Sequence, residues 1–460
     1  MNGKTGGVKP AKTTHDAPKV VIVGGGFGGV SAAHELAKSG FHVTIIDRHP
    51  YTTFLPLLYQ LATGGLNPGD ITYSLRLFAA RQKGHPAVRR AQVTGIDKAA
   101  RRVHVDDGPP IDYDYLVIAT GVTTNHFGIP GAAQYSRSMY TRTSAIEVRD
   151  MIFGGMEDLA DSGGRQSFNI IVVGGGATGV EMAGTLAEMR ASIPVIYPEL
   201  SIEQVNVILV EMAPQLLTPF DESLQKYTLK QLQDRGVDVR LNTAISEVHA
   251  DHVDLKDGTE LPADLVIWAA GIAGYDTVAA WGLPMGKGSR IMVEPTLLVE
   301  GEDRIFAIGD CAVINNDPLP QLAQPAMQMG AFLGGQLQRI VRGEQPATFH
   351  YRNKGEMATI GRASAVAQFP NGMKIKGLPA WLLWVGVHLF FLLGNRNRLQ
   401  SMINLGARYL FWPRSSTAIV GDVKDPPSEE AIVAQREERE RQAELAAAEE
   451  RRHRRGQPQR

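Results

Sequence analysis

Three glycines and one aspartate near the N-terminus have the spacing of a dinucleotide-binding turn. Gly24, Gly26 and Gly29 form a GxGxxG pattern, and Asp47 lies 18 residues beyond the last of them. In this pattern the first glycine permits a tight turn, the second lets the backbone approach a pyrophosphate, and the third lets a helix pack closely on the preceding strand. A carboxylate at the end of the next strand accepts hydrogen bonds from ribose hydroxyls. The chemistry predicted here is the binding of a nucleotide.

Two strands and a helix must hold these residues in place. Residues 20–23 are apolar and β-branched, as in a buried parallel strand. The segment after Gly29 predicts a helix whose N-terminus presents its positive dipole end to phosphates, and HVTII before Asp47 predicts the second strand. A lone GxGxxG also occurs in ordinary loops, but strand, turn, helix and strand together favour dinucleotide binding.

The same landmarks recur 150 positions further along the chain. The glycine turn at Gly174, Gly176 and Gly179 matches the turn at Gly24, Gly26 and Gly29. The Asp-Gly turn at 257–258 matches the one at 107–108, and the strand end at Gly271 matches the one at Gly121. Three landmarks at one spacing indicate a duplicated domain. Each copy predicts a parallel sheet with a short antiparallel excursion before its last strand. We therefore expect two nucleotide-binding domains.

The acid of the second copy is Glu211, which closes the strand VNVILVE. It lies 32 residues past Gly179 rather than about 20, because a proline-containing insert occupies residues 193–204. The strand and its acidic end are intact. A carboxylate at this position repels the ribose 2′-phosphate of NADPH, so the second domain is predicted to prefer NADH.

The composition is that of a globular protein of two or three domains, with 460 residues, 43% of them apolar and 21% charged. A net charge of −1 and the lack of a concentrated basic domain exclude nucleic acid as an expected partner. Cys311 is the single cysteine, which excludes an intrachain disulfide. His126, His249 and His252 lack the spacing of metal ligands, so no metal is expected. Residues 1–18 are polar and are predicted to be a disordered lead-in without a secretory signal.

Residues 304–311 predict a buried strand that ends at Gly309 and Asp310, and the next periodic segment predicts a helix that begins near Gln324 with Pro325 at its first position. With the two glycine turns, this pattern resembles the flavoproteins that have two dinucleotide-binding domains. The resemblance implies an α/β fold with two Rossmann-like domains, one for FAD and one for NADH, the second inserted in the first. Asp310 would bind the ribityl chain of FAD, and the helix dipole would stabilise the reduced flavin.

The resemblance also assigns the segments of the chain and the cofactor contacts. The expected segments are the lead-in at 1–18, the FAD domain at 19–150 and 286–345, the NADH domain at 165–285, a C-terminal membrane-associating region at 346–422 and a charged tail at 423–460. The FAD site would comprise Gly24, Gly26, Gly29, Asp47, Arg48, Val93, Thr120, Gly121, Asp310, Ala323 and Gln324. The NADH site would comprise Gly174, Gly176, Gly179, Glu211 and Gly271.

Three further segments resemble the type II NADH:quinone oxidoreductases. FLPLLYQLATG at 54–64 is similar to their segment beneath the flavin, GATGVEMAG at 176–184 to their NADH turn, and residues 323–328 fit their AQxAxQ quinone-site pattern. The resemblance implies that Glu181 either positions NADH or supplies a proton to the quinone, and that Gln324 and Gln328 contact the quinone. The alternatives are glutamines on one helix face that bond to solvent, and a glutamate that is favourably placed near the positive end of a helix dipole.

The most apolar run of the chain lies at residues 378–394, with about 16 apolar positions, fewer than the roughly 20 that span a bilayer. Basic residues and tryptophans accompany it: Lys374, Lys376, Arg396, Arg398, Arg408 and Arg414, with Trp381, Trp384 and Trp412. These features favour a helix that lies in the membrane interface with its tryptophans at headgroup depth. The alternatives are a buried core helix, a dimer contact and a helix that spans the bilayer.

Together these features predict FAD-dependent oxidation of NADH with two-electron reduction of a membrane quinone, menaquinone or ubiquinone, without proton pumping. The protein would be peripheral and monotopic on the cytoplasmic face of the cell membrane, and a homodimer is compatible with the sequence. A single cysteine excludes the reductases of this fold that use redox-active cysteines. The alternatives are a reductase of a soluble protein electron carrier and a non-catalytic, redox-sensing flavoprotein.

Overall fold

The computed structural model describes residues 17–161, 167–315 and 317–406. The first of these ranges contributes a parallel sheet with β1 (Lys19–Val23) at its centre. Its elements are β1 (Lys19–Val23), α1 (Phe27–Lys38), β2 (His42–Asp47), β3 (Tyr51–Thr53), a 3₁₀ turn (Leu55–Leu57), α2 (Leu58–Ala62), β4 (Thr72–Ser74), α3 (Leu75–Ala80), β5 (Ala87–Arg90), β6 (Val93–Asp97), β7 (Arg102–Val105), β8 (Ile111–Asp112), β9 (Tyr115–Ile118), β10 (Thr123–Thr124), α4 (Ala132–Tyr135), β11 (Ser136–Ser138) and α5 (Arg142–Asp161). β1 lies between β2 and β9, parallel to both. Its residues 20–23 are at most 5% exposed, so burial on both faces of the sheet explains their unbroken apolar run.

The next stretch repeats this arrangement. Its elements are β12 (Phe168–Val173), α6 (Ala177–Arg190), α7 (Ile193–Ile196), a 3₁₀ turn (Ile202–Gln204), β13 (Val205–Val210), α8 (Glu222–Asp234), β14 (Asp238–Arg240), β15 (Ile245–Val248), β16 (His252–Leu255), β17 (Glu260–Pro262), β18 (Leu265–Trp268), β19 (Ile272–Ala273) and α9 (Asp276–Ala279). β12 lies between β13 and β18, as β1 lies between β2 and β9. The antiparallel strands β15, β16 and β17 correspond to β6, β7 and β8. The predicted duplication is therefore confirmed.

The chain then returns to the first sheet. The elements are β20 (Met285–Gly286), β21 (Arg290–Val293), β22 (Ile305–Ala307), a 3₁₀ turn (Gly309–Cys311), β23 (Ala312–Ile314) and α10 (Ala323–Val341). β22 pairs in parallel with β9. The first sheet therefore contains strands that precede the second sheet in the chain and one strand that follows it. The predicted α/β fold with one Rossmann-like core inserted in another is confirmed. Pro325 occupies the third position of α10 rather than the predicted first, which the helix tolerates because its first N–H groups have no partner within the helix.

A small antiparallel sheet and two helices follow. They are β24 (Glu356–Gly361), β25 (Ser364–Gln368), β26 (Lys374–Lys376), α11 (Leu378–Phe391) and α12 (Asn395–Gly406). β24 packs against α6, and α11 packs against β25, so this sheet holds α11 beside the second Rossmann-like core. Within the described ranges, no helix combines the length and apolarity that crossing a membrane requires. The predictions for residues 1–16 and 407–460 lie outside the described residues.

Candidate active site

A cavity of about 730 Å³ brings together both parallel sheets and the C-terminal helix α11. Its walls come from the turns after β1 and β12, the start of α10 and the second half of α11. The predicted site residues that line it are Gly24, Gly26, Asp47, Arg48, Val93, Thr120, Gly121, Gly176, Glu181, Asp310, Ala323 and Gln324. The predicted site residues outside its walls are Gly29, Gly174, Gly179, Glu211, Gly271 and Gln328.

The turn after β1 has the geometry that a pyrophosphate requires. Gly24 has a φ of +109°, which side chains strongly disfavour, and a Cβ on Gly29 would collide with the carbonyl oxygen of Gly24. Gly26 stands before the first turn of α1, with no atom within 4 Å of the position its Cβ would take. An open backbone at a helix N-terminus is a suitable anion site. The turn therefore fits the phosphates of a dinucleotide.

The acid at the end of β2 is fixed by the same turn. Asp47 Oδ2 accepts a hydrogen bond from the Gly25 amide at 2.7 Å, and Oδ1 accepts one from the His49 amide at 2.7 Å. These bonds orient the carboxylate in the wall of the cavity. Because a carboxylate oxygen has more than one lone pair, Asp47 keeps the capacity to accept ribose hydroxyls.

The second turn repeats these contacts. Gly174 has the same φ of +109° as Gly24. Glu211 accepts hydrogen bonds from the amide of Gly175 and, at 2.6 Å, from the amide of Ala213. The longer spacing to this acid, noted in the sequence, leaves its position unchanged because the insert forms α7 and a 3₁₀ turn before β13. Gly271 lies outside the cavity wall, where the ring of Phe127 covers it.

Asp310 is a partly buried acid of the first domain. Burial raises its pKa to about 6, partly opposed by Arg290 and by a hydrogen bond from the Tyr140 hydroxyl at 3.4 Å. Arg290 donates to the backbone carbonyl of Asp310 at 3.0 Å rather than to its carboxylate. The carboxyl group thus faces the cavity with one long hydrogen bond. A hydroxyl-bearing chain, such as the ribityl chain of FAD, fits this acceptor.

The two glutamines of α10 have different positions. Gln324 lines the cavity, its Nε2 donates to the Gly355 carbonyl at 3.2 Å, and its buried Oε1 has no hydrogen-bond partner among the described residues. Gln328 points to the 350–355 segment instead, where its amide donates to the Arg352 carbonyl and accepts from the Arg352 amide, both at 3.0 Å. Gln324 is therefore available to a ligand, and Gln328 fixes the segment that Gln324 also contacts.

Glu181 of α6 lies at the end of the cavity nearest α11. It is 8% exposed, and its Oε1 accepts hydrogen bonds from the Thr359 amide at 3.3 Å and from Trp384 Nε1 at 3.2 Å. Burial raises the pKa of Glu181 to about 8, although both hydrogen bonds oppose the shift. At neutral pH the side chain is mostly a carboxylic acid. It is therefore suited to donate a proton rather than to stabilise a helix dipole as an anion.

The aromatic wall of this end includes residues that the sequence did not assign to a site. Trp384 was predicted to lie at headgroup depth, and this prediction is wrong: its side chain is 2% exposed and bonded to Glu181. His388 stacks on Trp384 with ring centroids 3.8 Å apart and lines the cavity. Phe54 and Tyr59, from the predicted segment beneath the flavin, contact this pair edge-on. The spacing of four residues between Trp384 and His388 places both on one face of a helix, and this was the sequence signal that could have predicted their contact.

His249 and His252, whose spacing in the sequence predicts no metal site, lie close together with an acid. Ligand atoms of His249, His252 and Asp254 lie within 4.8 Å of one another, because an antiparallel hairpin, not linear spacing, joins them. Both rings are paired with carboxylates, His249 with Asp254 at 3.1 Å and His252 with Asp251 at 2.7 Å. The group lies outside the cavity wall.

Comparison with known proteins identifies the family. Residues 18–330 match the pyridine nucleotide-disulphide oxidoreductase model, and residues 353–412 match the NDH2 C-terminal domain model. The chain is 33% identical over 458 residues, 95% of both chains, to the type II NADH:quinone oxidoreductase NdhA of Mycobacterium tuberculosis. It is 30% identical over 372 residues, 76% of this chain and 89% of the other, to the type II NADH:quinone oxidoreductase of Staphylococcus aureus.

Solved structures agree with these relatives. NDH2 from Plasmodium falciparum in complex with NADH superposes with a TM-score of 0.81 at 21% identity, covering 87% of this chain and 99% of that one. The sulfide:quinone oxidoreductase of Aquifex aeolicus has the same fold, with a TM-score of 0.69 at 19% identity, covering 89% of this chain and 100% of the other. The chain therefore belongs to the type II NADH:quinone oxidoreductases, within the pyridine nucleotide-disulphide oxidoreductase family.

Proposed function

We infer that the protein uses bound FAD to oxidise NADH and to reduce a membrane quinone, menaquinone or ubiquinone, by two electrons without pumping protons. The overall reaction is NADH + H⁺ + quinone → NAD⁺ + hydroquinone. The observation that carries this function is the shared cavity, in which a dinucleotide turn, a buried acid near pKa 8 and an apolar end beside α11 line one space.

The FAD and NADH sites are assigned to the two halves of the duplication, with FAD on the segments 19–150 and 286–345 and NADH on 165–285. When bound, FAD would supply the acceptor for the hydride of NADH and the source of two electrons for the quinone. Asp47 would accept hydrogen bonds from a ribose, and Asp310 would accept one from a ribityl hydroxyl. The positive dipole end at the N-terminus of α10 would stabilise negative charge on the reduced flavin. Glu211 selects NADH by repelling a 2′-phosphate.

The quinone is assigned to the end of the cavity between Phe54, Phe391 and Glu181. Its walls there are mainly apolar, with a few polar groups, as a quinone headgroup requires. Hydride supplies one of the two hydrogens that the hydroquinone gains, so the other must enter as a proton. Glu181 is the buried acid at this end, and we assign the delivery of that proton to it.

The C-terminal helices present an apolar surface that we assign to a lipid bilayer on the cytoplasmic face of the cell membrane. The exposed apolar side chains of α11 and α12 are Leu378, Leu382, Phe390, Phe391, Leu399, Met402 and Ile403. Four basic residues of the same region are Lys374, Lys376, Arg396 and Arg398. Each adds about 1 kcal/mol near an anionic surface. A quinone from the bilayer would then enter beside α11 without crossing water.

The alternative is that this surface forms the contact of a homodimer. Vesicle flotation and size-exclusion chromatography distinguish the two assignments. Flotation with vesicles that contain anionic lipid supports the membrane assignment. A dimer in size-exclusion chromatography that does not float with vesicles would assign the surface to a second copy.

Stopped-flow absorbance of the flavin tests the central function. The holoenzyme is mixed anaerobically with NADH and then with a short-chain quinone. Fast bleaching by NADH followed by fast recovery with quinone is the expected result. Bleaching without recovery would move the acceptor to a protein electron carrier, and no bleaching would favour a non-catalytic flavoprotein.

A further inference from the structure

His388 lines the end of the cavity to which the quinone is assigned. Its ring stacks on Trp384 with an interplanar angle of 19° and meets the edge of Phe54 at a centroid distance of 6.1 Å. Its Nδ1 lies 2.7 Å from the backbone carbonyl of Trp384, one helical turn earlier. The stack holds the plane of the imidazole against Trp384, and the hydrogen bond directs Nδ1 at the Trp384 carbonyl.

The bond at Nδ1 also fixes the tautomer of His388. A carbonyl oxygen only accepts hydrogen bonds, so Nδ1 carries the proton and Nε2 carries the lone pair. No described residue is hydrogen-bonded to Nε2. Burial lowers the pKa of His388 to about 4, so the ring is neutral at working pH. The side chain thus places a fixed acceptor in the wall of an apolar cavity.

Gln324 provides a second acceptor of the same kind. One N–H of its Nε2 donates to the Gly355 carbonyl, and its buried Oε1 has no hydrogen-bond partner among the described residues. An oxidised quinone has carbonyl oxygens, which only accept hydrogen bonds, whereas a hydroquinone has two hydroxyl donors. Both acceptors therefore complement the reduced form better than the oxidised one.

We propose that Nε2 of His388 accepts a hydrogen bond from a hydroxyl group of the hydroquinone and makes the cavity selective for the reduced quinone. The proposal rests on the proposed function, since it assigns a residue to the same quinone site. His388 transfers no proton in this scheme. Glu181 donates the proton, and His388 holds the hydroxyl that results.

Two substitutions of His388 test this assignment. His388→Phe keeps a ring to stack on Trp384 but removes the acceptor, and His388→Gln places an amide oxygen near the position of Nε2. A net hydrogen bond contributes about 1 to 1.5 kcal/mol, or roughly five- to tenfold in affinity. We expect the inhibition constant of a short-chain hydroquinone to rise about tenfold in His388→Phe, with less than a twofold change in the KM of the matching quinone. His388→Gln should recover most of the hydroquinone affinity.

A ligand series on the unaltered holoenzyme gives an independent measurement, which decides the matter if His388→Phe does not fold. The dimethyl ether of the same hydroquinone lacks both hydroxyl donors and should inhibit about tenfold more weakly than the hydroquinone. Equal inhibition by the two compounds overturns the proposal. So does an equal rise of KM and inhibition constant in His388→Phe, which would show that the ring only packs against Trp384.

Failure of the proposal is distinguishable from failure of the proposed function. If quinone does not reoxidise the reduced flavin of the unaltered enzyme, the quinone assignment itself is wrong and His388 has no hydroquinone to bind. If the flavin cycles normally and the hydroquinone shows no selectivity, the function stands and the acceptor role of His388 is overturned.

Discussion

Replacing Glu181 by glutamine removes an acidic proton from the cavity while preserving its shape. Glutamine has nearly the same volume, and its Oε1 can accept the bonds that Thr359 and Trp384 donate to Glu181. General acids contribute about 10²- to 10⁴-fold to rate. We expect quinone reduction to slow at least about 100-fold in Glu181→Gln, while reduction of the flavin by NADH keeps its rate.

The pH dependence gives a second signature of the same group. With a pKa of about 8, roughly nine tenths of Glu181 is protonated at pH 7 and roughly one tenth at pH 9. Quinone reduction by the unaltered enzyme should therefore fall about tenfold between these pH values. The residual rate of Glu181→Gln should not follow this profile.

Stability should change in the opposite direction to activity. The pKa of Glu181 is raised in the folded protein, so its contribution to stability is fully present below its ordinary value of 4.5 and is lost as pH rises through about 8. At pH 7, keeping the acid protonated costs about 3 kcal/mol relative to the unfolded chain. Glutamine avoids this cost. Glu181→Gln should therefore have a higher free energy of unfolding at pH 7, with a smaller gain near pH 4.5.

Stopped-flow absorbance measures flavin reduction and quinone reduction separately. Denaturant unfolding at pH 7 and at about pH 4.5 measures the free energy of unfolding. Glu222→Gln is a matched control, because Glu222 is exposed and pairs with Lys226 on the surface. Glu222→Gln should change neither the rate of quinone reduction nor the free energy of unfolding. A Glu181→Gln variant that reoxidises with quinone at the normal rate refutes the proton role. A loss of stability at pH 7 would falsify the protonated state, because it would mean that an ionised Glu181 stabilises the fold.

Three further changes test other parts of the site. Asp310→Ala removes this partly buried acceptor and should weaken FAD retention about tenfold, measured as flavin fluorescence released on dilution. Unchanged release would remove Asp310 from the FAD site. Glu211→Arg should lower the preference for NADH over NADPH at least about tenfold in kcat/KM, and an unchanged ratio contradicts the role of this acid. Leu382→Glu combined with Ile403→Glu should weaken vesicle binding about 100-fold, measured by flotation, since each apolar side chain contributes about 1.5 kcal/mol or more on burial. Val195→Glu is the control, because Val195 is exposed but lies outside α11 and α12. Equal flotation of the double variant and the control would reject the lipid surface.

The sequence alone determined the two Rossmann-like cores, because their signals are local. An apolar strand, a glycine turn and a helix follow one another within about 20 residues, and steric limits on φ at Gly24 and Gly174 make the pattern specific. The acids at Asp47 and Glu211 follow from the same units, since each closes the strand beside its turn and bonds to that turn.

Only the tertiary structure decided which residues of α11 join Glu181 in the wall of the cavity. Glu181 and Trp384 are 203 residues apart, and no local pattern joins them. The run at 378–394 is apolar on every side, so periodicity could not say which face of α11 is buried. Packing of β24 on α6 and of α11 on β25 selects that face and carries Trp384 and His388 into the cavity. The raised pKa of Glu181 follows from this burial, because desolvation is a property of the assembled protein and not of the residue's neighbours in the chain.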